Sequence, residues 1–276
     1  MKALLAASLL AIAATVTASA LYRHASADLL NPAAEAGGVT PVLVELFTSE
    51  GCSSCPAADE VLSKIAATQP VNGAKVIAIG EHVDYWDHLG WRDAFSSAAF
   101  TMRQSRYSNI LRLESIYTPQ MVVNGTREFV GSDYAAAIKA IAAEAKSPAR
   151  RVAISLSSSA GSPTDGADGS SVPLSLRVEP SAGEHFAADL DLVVVVTEDG
   201  LATKVGSGEN GGRVLRHSAV ARTLATITQL KHGAAAWSGS HTVHLAASWK
   251  RPALSIVVFT QEPSTHRITG ASILKL

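Results

Sequence analysis

Residues 41–56 have the sequence PVLVELFTSEGCSSCP, and this stretch decides most of what can be predicted about the fold. Residues 41–48 are almost continuously apolar, which is typical of a buried strand in a parallel sheet. Cys52 and Cys55 follow directly, and residues 57–67 place apolar side chains on one face of a predicted helix. The stretch therefore predicts a strand, a turn that carries both cysteines, and a helix that begins beside them.

The chain that follows this stretch continues to alternate between predicted strands and helices. The further predicted elements are a strand at 75–82, a mainly helical segment at 93–113, a hairpin of 121–124 and 126–130 that turns at Asn124-Gly125, and a helix at 133–146. This alternation predicts a central sheet flanked by helices. We expect one α/β domain over residues 40–147.

The periodicity changes after residue 147, where apolar and polar residues begin to alternate. Several short alternating runs with turn signals predict an all-β sandwich domain over residues 148–276. Residues 157–171 are rich in Ser, Gly and Asp and predict a loop. Residues 206–211 fit the pattern GxGxxG, but no crossover helix follows them, so a sandwich loop is favoured over a dinucleotide site.

The composition excludes several classes of protein. Of 276 residues, 47% are hydrophobic, and 23 basic side chains stand against 24 acidic ones. A disordered chain would be less apolar, and a protein that binds nucleic acid by charge would be more basic. With two cysteines in all, a scaffold held together by several disulfides is also excluded.

The N-terminal residues have the pattern of a targeting segment. A basic start at Lys2 precedes an apolar run, and small residues suitable for a signal peptidase follow within residues 1–27. The alternative is a retained membrane anchor, but the run is rich in Ala and weakly hydrophobic. We therefore expect export to the periplasm or beyond, with no stable membrane insertion after cleavage.

The chemistry-bearing motif is Cys52-Ser53-Ser54-Cys55-Pro56 at the predicted helix start. Unpaired N–H groups and the partial positive charge of a helix N-terminus stabilise a thiolate. We expect Cys52 to be the exposed nucleophile and Cys55 to be the resolving thiol. Three alternatives remain open: a structural disulfide, an inert reduced pair, and a copper or zinc site that uses Cys52, Cys55 and His82.

A second signal is Thr118-Pro119, directly before a predicted strand, where a proline suggests a turn with a cis bond. Together with the CxxC motif and the order of elements, it resembles the thioredoxin fold. The resemblance implies that Thr118 and Pro119 face the cysteines and bind substrate backbone. It also implies that Glu45 assists proton transfer, although a salt-bridged strand carboxylate is the alternative. The Ser-Ser pair between the cysteines is neither the Gly-Pro of thioredoxin nor the Pro-His of strong oxidants, so the redox direction stays open.

Residues 82–93, HVDYWDHLGWRD, together with 44–56, resemble an uncharacterised secreted bacterial family, domain of unknown function 1223. The likeness extends to residues 208–213 and 215–217. The side chains of His82, Asp84, Tyr85 and Trp86 could form a polar and aromatic rim beside Cys52, or they could simply pack at the strand end. For Trp91 we expect packing.

Taken together, the sequence predicts an exported thiol–disulfide oxidoreductase that exchanges disulfides with partner proteins through Cys52 and Cys55. The residues assigned to the site are Cys52, Cys55, Thr118, Pro119 and Glu45. No cofactor and no nucleic acid are expected. The alternatives are a periplasmic metal-delivery protein and a non-catalytic binding module.

Overall fold

The computed structural model describes residues 39–147, 152–158, 171–180 and 184–276. The predicted targeting segment, 1–27, lies outside the described residues, and so do residues 159–170 of the predicted loop. These described residues belong to the compact unit that begins at Val39.

The described residues form three α-helices: α1 (Cys55–Thr68), α2 (Ala98–Leu111) and α3 (Tyr134–Lys146). Helix α2 begins later than predicted because Ser97 caps it, accepting a hydrogen bond from the N–H of Ala99. Asp133 caps α3 in the same way. None of these helices is both long enough and apolar enough to cross a membrane.

Strands make up most of the regular structure in the described ranges. They are β1 (Thr40–Thr48), β2 (Ala74–His82), β3 (Gln120–Val123), β4 (Arg127–Val130), β5 (Val152–Ser158), β6 (Ser171–Pro180), β7 (Leu190–Glu198), β8 (Leu201–Lys204), β9 (Val214–His217), β10 (Val220–Leu230), β11 (Trp237–His244), β12 (Leu254–Gln261) and β13 (Ile268–Lys275). A short 3-10 helix, Arg251–Ala253, precedes β12.

Eight of these strands form one mixed sheet in the order β13-β12-β7-β10-β2-β1-β3-β4. Strands β1 and β2 pair in parallel along their whole length, and β10 joins β2 in parallel through Val220 and Gly80. The other neighbours in this sheet pair antiparallel. Strands β5, β6 and β11 form a second sheet, and β8 and β9 form a separate hairpin.

The predicted fold class, an α/β thioredoxin-like domain followed by a separate all-β sandwich, is therefore wrong. The structure is mostly β, and strands from both halves of the chain share the eight-stranded sheet. The physical reason lies at β2, whose residues 76–82 are buried, so that its free edge needs a partner. Strand β10 pairs with that edge at Gly80. The domain boundary at residue 147 stays a prediction, and the large sheet contains strands from both sides of it.

Apolar side chains pack on both faces of the large sheet. One face of its N-terminal half carries Val42, Val44 and Leu46, which pack with buried residues of α1 and α3. On the other face, Leu43 belongs to the cluster that contains Phe100 of α2. In the C-terminal half, β7 and β12 pack against the three-stranded sheet. The alternation of side chains along β1 thus separates the side of α1 from the side of α2.

The predicted hairpin at Asn124-Gly125 is confirmed. Both residues have positive φ angles, 46° and 69°, and together with Thr126 they form the loop between β3 and β4, because Val123 pairs with Arg127. The turn also contacts the C-terminal half, because the N–H of Ile268 donates to the carbonyl of Asn124 at 3.0 Å. A Cβ atom on Gly125 would overlap the carbonyl of His266, so only glycine fits there.

Candidate functional site

Cys52 and Cys55 form a disulfide at the junction of β1 and α1, with their Cα atoms 5.4 Å apart. Cys55 is the first residue of α1, and Pro56 follows it in the first turn. Ser54 precedes the helix but does not cap it with its side chain. Its hydroxyl oxygen lies 3.3 Å from the Cys52 sulfur instead. The backbone donors of the first helical turn therefore lie next to the disulfide, as the sequence predicts.

Both cysteines are buried, and Cys52 is only 1% exposed. This differs from the expected exposed nucleophile, because residues 206–213, here called the cover segment, pack against the cysteine turn. The buried Asn210 side chain donates to the carbonyls of Glu50 and Cys52, each at 2.9 Å. The Glu209 carboxylate accepts a hydrogen bond from the Ser53 N–H at 2.9 Å. The GxGxxG residues thus lie in a loop, but this loop joins β8 and β9 of the separate hairpin rather than strands of a sandwich, and it contacts the cysteine turn.

A buried histidine and two buried carboxylates lie next to the cysteine turn. His217, at the end of β9, is 3.3 Å from Glu50 through Nε2 and 3.6 Å from Asp59 through Nδ1. These are ion-pair contacts without the alignment of hydrogen bonds. Burial lowers the pKa of His217, but Asp59 and Glu50 outweigh burial and raise it to about 9. His217 is therefore an imidazolium at neutral pH.

His82 lies beside His217, with the ring centroids 4.8 Å apart, and its Nδ1 is 2.6 Å from a carboxylate oxygen of Asp93. The same oxygen accepts a hydrogen bond from the Glu50 N–H at 2.9 Å. Burial raises the pKa of Asp93, but His82 and the backbone donors of Glu50 and Phe95 outweigh burial and lower it. His82 thus helps to fix the backbone before Cys52.

The peptide bond between Thr118 and Pro119 is cis, as predicted. The Thr118 hydroxyl accepts a hydrogen bond from the indole of Trp86 at 2.8 Å. A Cβ on Gly131 would lie 3.0 Å from Ala58 of α1 and 3.3 Å from Pro119. Pro119 and the first turns of α1 therefore face each other across Gly131, and this loop lies beside the helix that begins at Cys55.

Glu45 makes its contacts on the other face of β1. Its carboxylate pairs with Arg103 at 2.5 Å and accepts a hydrogen bond from the Tyr107 hydroxyl at 2.6 Å, both on α2. These contacts match the salt-bridged alternative rather than proton transfer at the cysteines. The neighbouring carboxyl of Glu81 is fully buried, and burial, with the negative charge of Glu45, raises its pKa well above the usual value.

Trp91 and the rim residue Asp84 make different kinds of contact. Trp91 packs against Gly206 and Gly208 of the cover segment and donates to the Glu50 carboxylate at 2.8 Å. It therefore does more than the packing expected of it. Asp84 accepts a hydrogen bond from Thr101 of α2 at 2.6 Å, which is a structural contact.

Tyr85 is the remaining rim residue. Its hydroxyl is buried without a hydrogen-bond partner in the described structure. Burial is the main reason why its pKa is raised.

The metal-site alternative finds no support in the geometry. Within the described ranges, no three His, Cys, Asp or Glu side chains are arranged to hold a metal ion. Cys52 and Cys55 are joined to each other, and His82 is paired with Asp93.

Sequence reasoning missed the charged cluster of Glu50, Asp59 and His217. Glu50 stands two residues before Cys52, and Asp59 stands four residues after Cys55, which is one helical turn. Two carboxylates that flank a CxxC motif could have indicated that a positively charged side chain packs beside the motif. His217 was visible only as part of a family resemblance, because more than 150 residues separate it from the motif.

Comparisons with known proteins give a family and several structural likenesses. A crystal structure of a protein from Agrobacterium tumefaciens is similar, with 27% identity, a TM-score of 0.62, and coverage of 84% of this chain and 93% of that one. HBP35 of Porphyromonas gingivalis is similar in fold, with 16% identity, a TM-score of 0.60, and coverage of 86% and 75%. None of the curated proteins compared matches the chain. The family described as "Protein of unknown function (DUF1223)" matches residues 43–261, and the chain belongs to this family.

Proposed function

We propose that this protein is a thiol–disulfide oxidoreductase that exchanges disulfides with partner proteins through Cys52 and Cys55. The observation that carries the proposal is the disulfide at the N-terminus of α1, formed by the two cysteines of the chain. A bridge between residues three apart closes a very small ring, so it adds little to stability. Its position suits redox chemistry, because a helix N-terminus stabilises the thiolate that reduction creates.

The reaction is written here in the oxidising direction. A thiolate of the partner attacks the sulfur of Cys52, a mixed disulfide forms, and Cys55 leaves with the electron pair of the broken S–S bond. The second thiolate of the partner then attacks its own sulfur in the mixed disulfide, and Cys52 leaves as a thiolate. The partner loses two electrons and two protons and gains a disulfide, while the cysteine pair of this protein is reduced. The reducing direction is the reverse of these steps.

Thr118 and Pro119 are proposed to bind the backbone of the partner beside the cysteines, since their loop lies next to α1. An extracytoplasmic location is proposed from the N-terminal targeting pattern, and a disulfide persists more readily in such a compartment. Glu45, whose partners are on α2, is not included in the proposed machinery.

The test uses the purified full chain and a fluorescent peptide with two cysteines. The oxidised protein should convert the reduced peptide to its disulfide in a one-to-one ratio, and glutathione disulfide should make the conversion catalytic. For the Cys55→Ser variant the peptide is supplied in its disulfide form. The Cys52 thiolate should attack this disulfide, release one peptide thiolate and leave a mixed disulfide, visible as a protein–peptide adduct by mass spectrometry. The variant with both cysteines replaced by Ser is the control. A bridge that stays closed in excess dithiothreitol and forms no adduct would show a structural disulfide instead.

A further inference from the structure

The charged cluster beside the cysteine turn is built around His217. Its two ring nitrogens face Glu50 at 3.3 Å and Asp59 at 3.6 Å, and all three side chains are buried. These carboxylates flank the motif on its two sides, since Glu50 precedes Cys52 and Asp59 follows Cys55 by four residues in α1. Residues four apart lie on the same helix face, so Asp59 and Cys55 share the side of α1 that faces His217.

The groups that face His217 come from three elements of the described structure. They are Glu50 from the turn after β1, Asp59 from α1, and His82 from the end of β2, whose own partner is Asp93. Burial lowers the pKa of His217, but the two carboxylates outweigh burial and keep the imidazole protonated at neutral pH. A buried positive charge therefore lies on the side of α1 where Cys55 is placed.

A nearby positive charge favours reduction of the disulfide. When a thiol attacks Cys52, the Cys55 sulfur leaves with a negative charge in a buried position, where water cannot solvate it. Resting on the proposed function, we propose that His217 is a positioning residue that stabilises the departing thiolate of Cys55. Glu50 and Asp59 hold the imidazolium in place and oppose the same thiolate by their negative charge.

The proposal predicts opposite signs for two substitutions in one cluster. His217→Gln removes the positive charge, so the thiolate becomes less stable and the pair stays oxidised more readily. Asp59→Asn removes a negative charge, so the thiolate becomes more stable and the pair is reduced more readily. A nearby unit charge shifts a pKa by about 1–3 units. Because Asp59 lies one helical turn from Cys55 and His217 contacts Asp59 at 3.6 Å, we expect each equilibrium constant to change about tenfold. Damage to the structure alone would not produce opposite signs.

The experiment equilibrates the full chain and its variants with reduced and oxidised glutathione at pH 7, about two units below the pKa of His217, and in Asp59→Asn the imidazolium keeps Glu50 as its partner. The fraction of reduced Cys52 and Cys55 is measured by alkylation and mass spectrometry. Thiolate absorbance against pH gives the thiol pKa in the same samples. His244→Gln is the matched control, since His244 is exposed on β11 of the other sheet.

We expect His217→Gln to shift the glutathione equilibrium about tenfold towards the disulfide, which is about 30 mV for this two-electron couple, with a raised thiol pKa. Asp59→Asn should shift both quantities the other way, and His244→Gln should leave them unchanged. Shifts below twofold, or shifts of the same sign for both variants, overturn the proposal while the proposed function stands. If His217→Gln does not fold, the direction in which Asp59→Asn shifts the glutathione equilibrium decides: a shift towards the thiols supports the proposal, and a shift towards the disulfide overturns it. A parent pair that never exchanges with glutathione refutes the proposed function itself.

Discussion

Asn210 offers a direct test of how the cysteine pair is covered. Its side chain is fully buried and donates two hydrogen bonds, each of 2.9 Å, to the carbonyls of Glu50 and Cys52. Its own oxygen accepts a hydrogen bond from Arg213 at 2.6 Å. Replacing it with Ala removes two of the hydrogen bonds that hold the cover segment on the cysteine turn, while the contact between Glu209 and Ser53 and the cysteines themselves stay intact.

The size of the effect follows from these contacts. A typical hydrogen bond contributes about 0.5–1.5 kcal/mol, so two of them stabilise the closed segment by about 1–3 kcal/mol. Each 1.4 kcal/mol is a factor of ten in an equilibrium constant, so the open population should rise by about 5- to 150-fold. Because Cys52 is 1% exposed, a reductant reaches it chiefly in the open form. The reduction rate of Asn210→Ala should therefore rise by a similar factor.

The assay is the rate of thiol release with a phosphine reductant in excess, measured below the unfolding transition of each variant. Asn109→Ala is the control, since Asn109 is an exposed asparagine on α2. Its rate should match that of the parent protein. An Asn210→Ala rate within twofold of the parent, in a protein that still unfolds cooperatively, would refute the idea that the cover segment limits access to Cys52.

Three further predictions concern stability. Protonated His217 stabilises the fold by about 3 kcal/mol at most; this contribution is fully present below pH 6.5 and is lost as the pH rises to about 9. In urea unfolding, the free energy of unfolding of the parent should decline over this pH range, and the decline should be much smaller in His217→Gln. Because the pKa of Glu81 is raised in the fold, its carboxyl disfavours folding as the pH rises above about 4.5, so Glu81→Gln should raise the urea midpoint at pH 8 and leave it nearly unchanged at pH 4. Gly125→Ala should lower the free energy of unfolding by about 1–3 kcal/mol, because its backbone has a positive φ and a Cβ overlaps the His266 carbonyl; a midpoint equal to that of the parent would contradict the turn geometry.

Local features of the fold could be predicted because their causes are local in sequence. The helix after the cysteines, the hairpin at Asn124-Gly125 and the cis bond before Pro119 each depend on a few adjacent residues. The start of α2 was placed too early, because residues 93–97 fit a helical spacing while Ser97 is the residue that caps the helix. Periodicity finds the apolar face of a helix but does not find its cap.

The pairing of β10 with β2 could not be predicted in the same way. A single parallel contact between Val220 and Gly80 joins the two halves of the sheet, and no pattern in either strand specifies the other. The alternating runs after residue 147 indicated strands correctly, but they carry no information about which sheet a strand enters. The same distance in sequence concealed the approach of His217 to Glu50, because neither residue signals its partner.

The cover segment also has a consequence for the order of events during synthesis. Asn210 follows Cys52 by 158 residues, so both cysteines emerge from the ribosome well before the residues that bury them. At about 5–20 residues per second, that interval lasts about 8–30 s. During this time the nascent chain has two accessible thiols and no neighbouring imidazolium, and any oxidant it meets can pair them. The buried site around the cysteine turn is therefore completed only when the last third of the polypeptide is made, and in a chain truncated before residue 206 the cysteine turn would lack the cover segment.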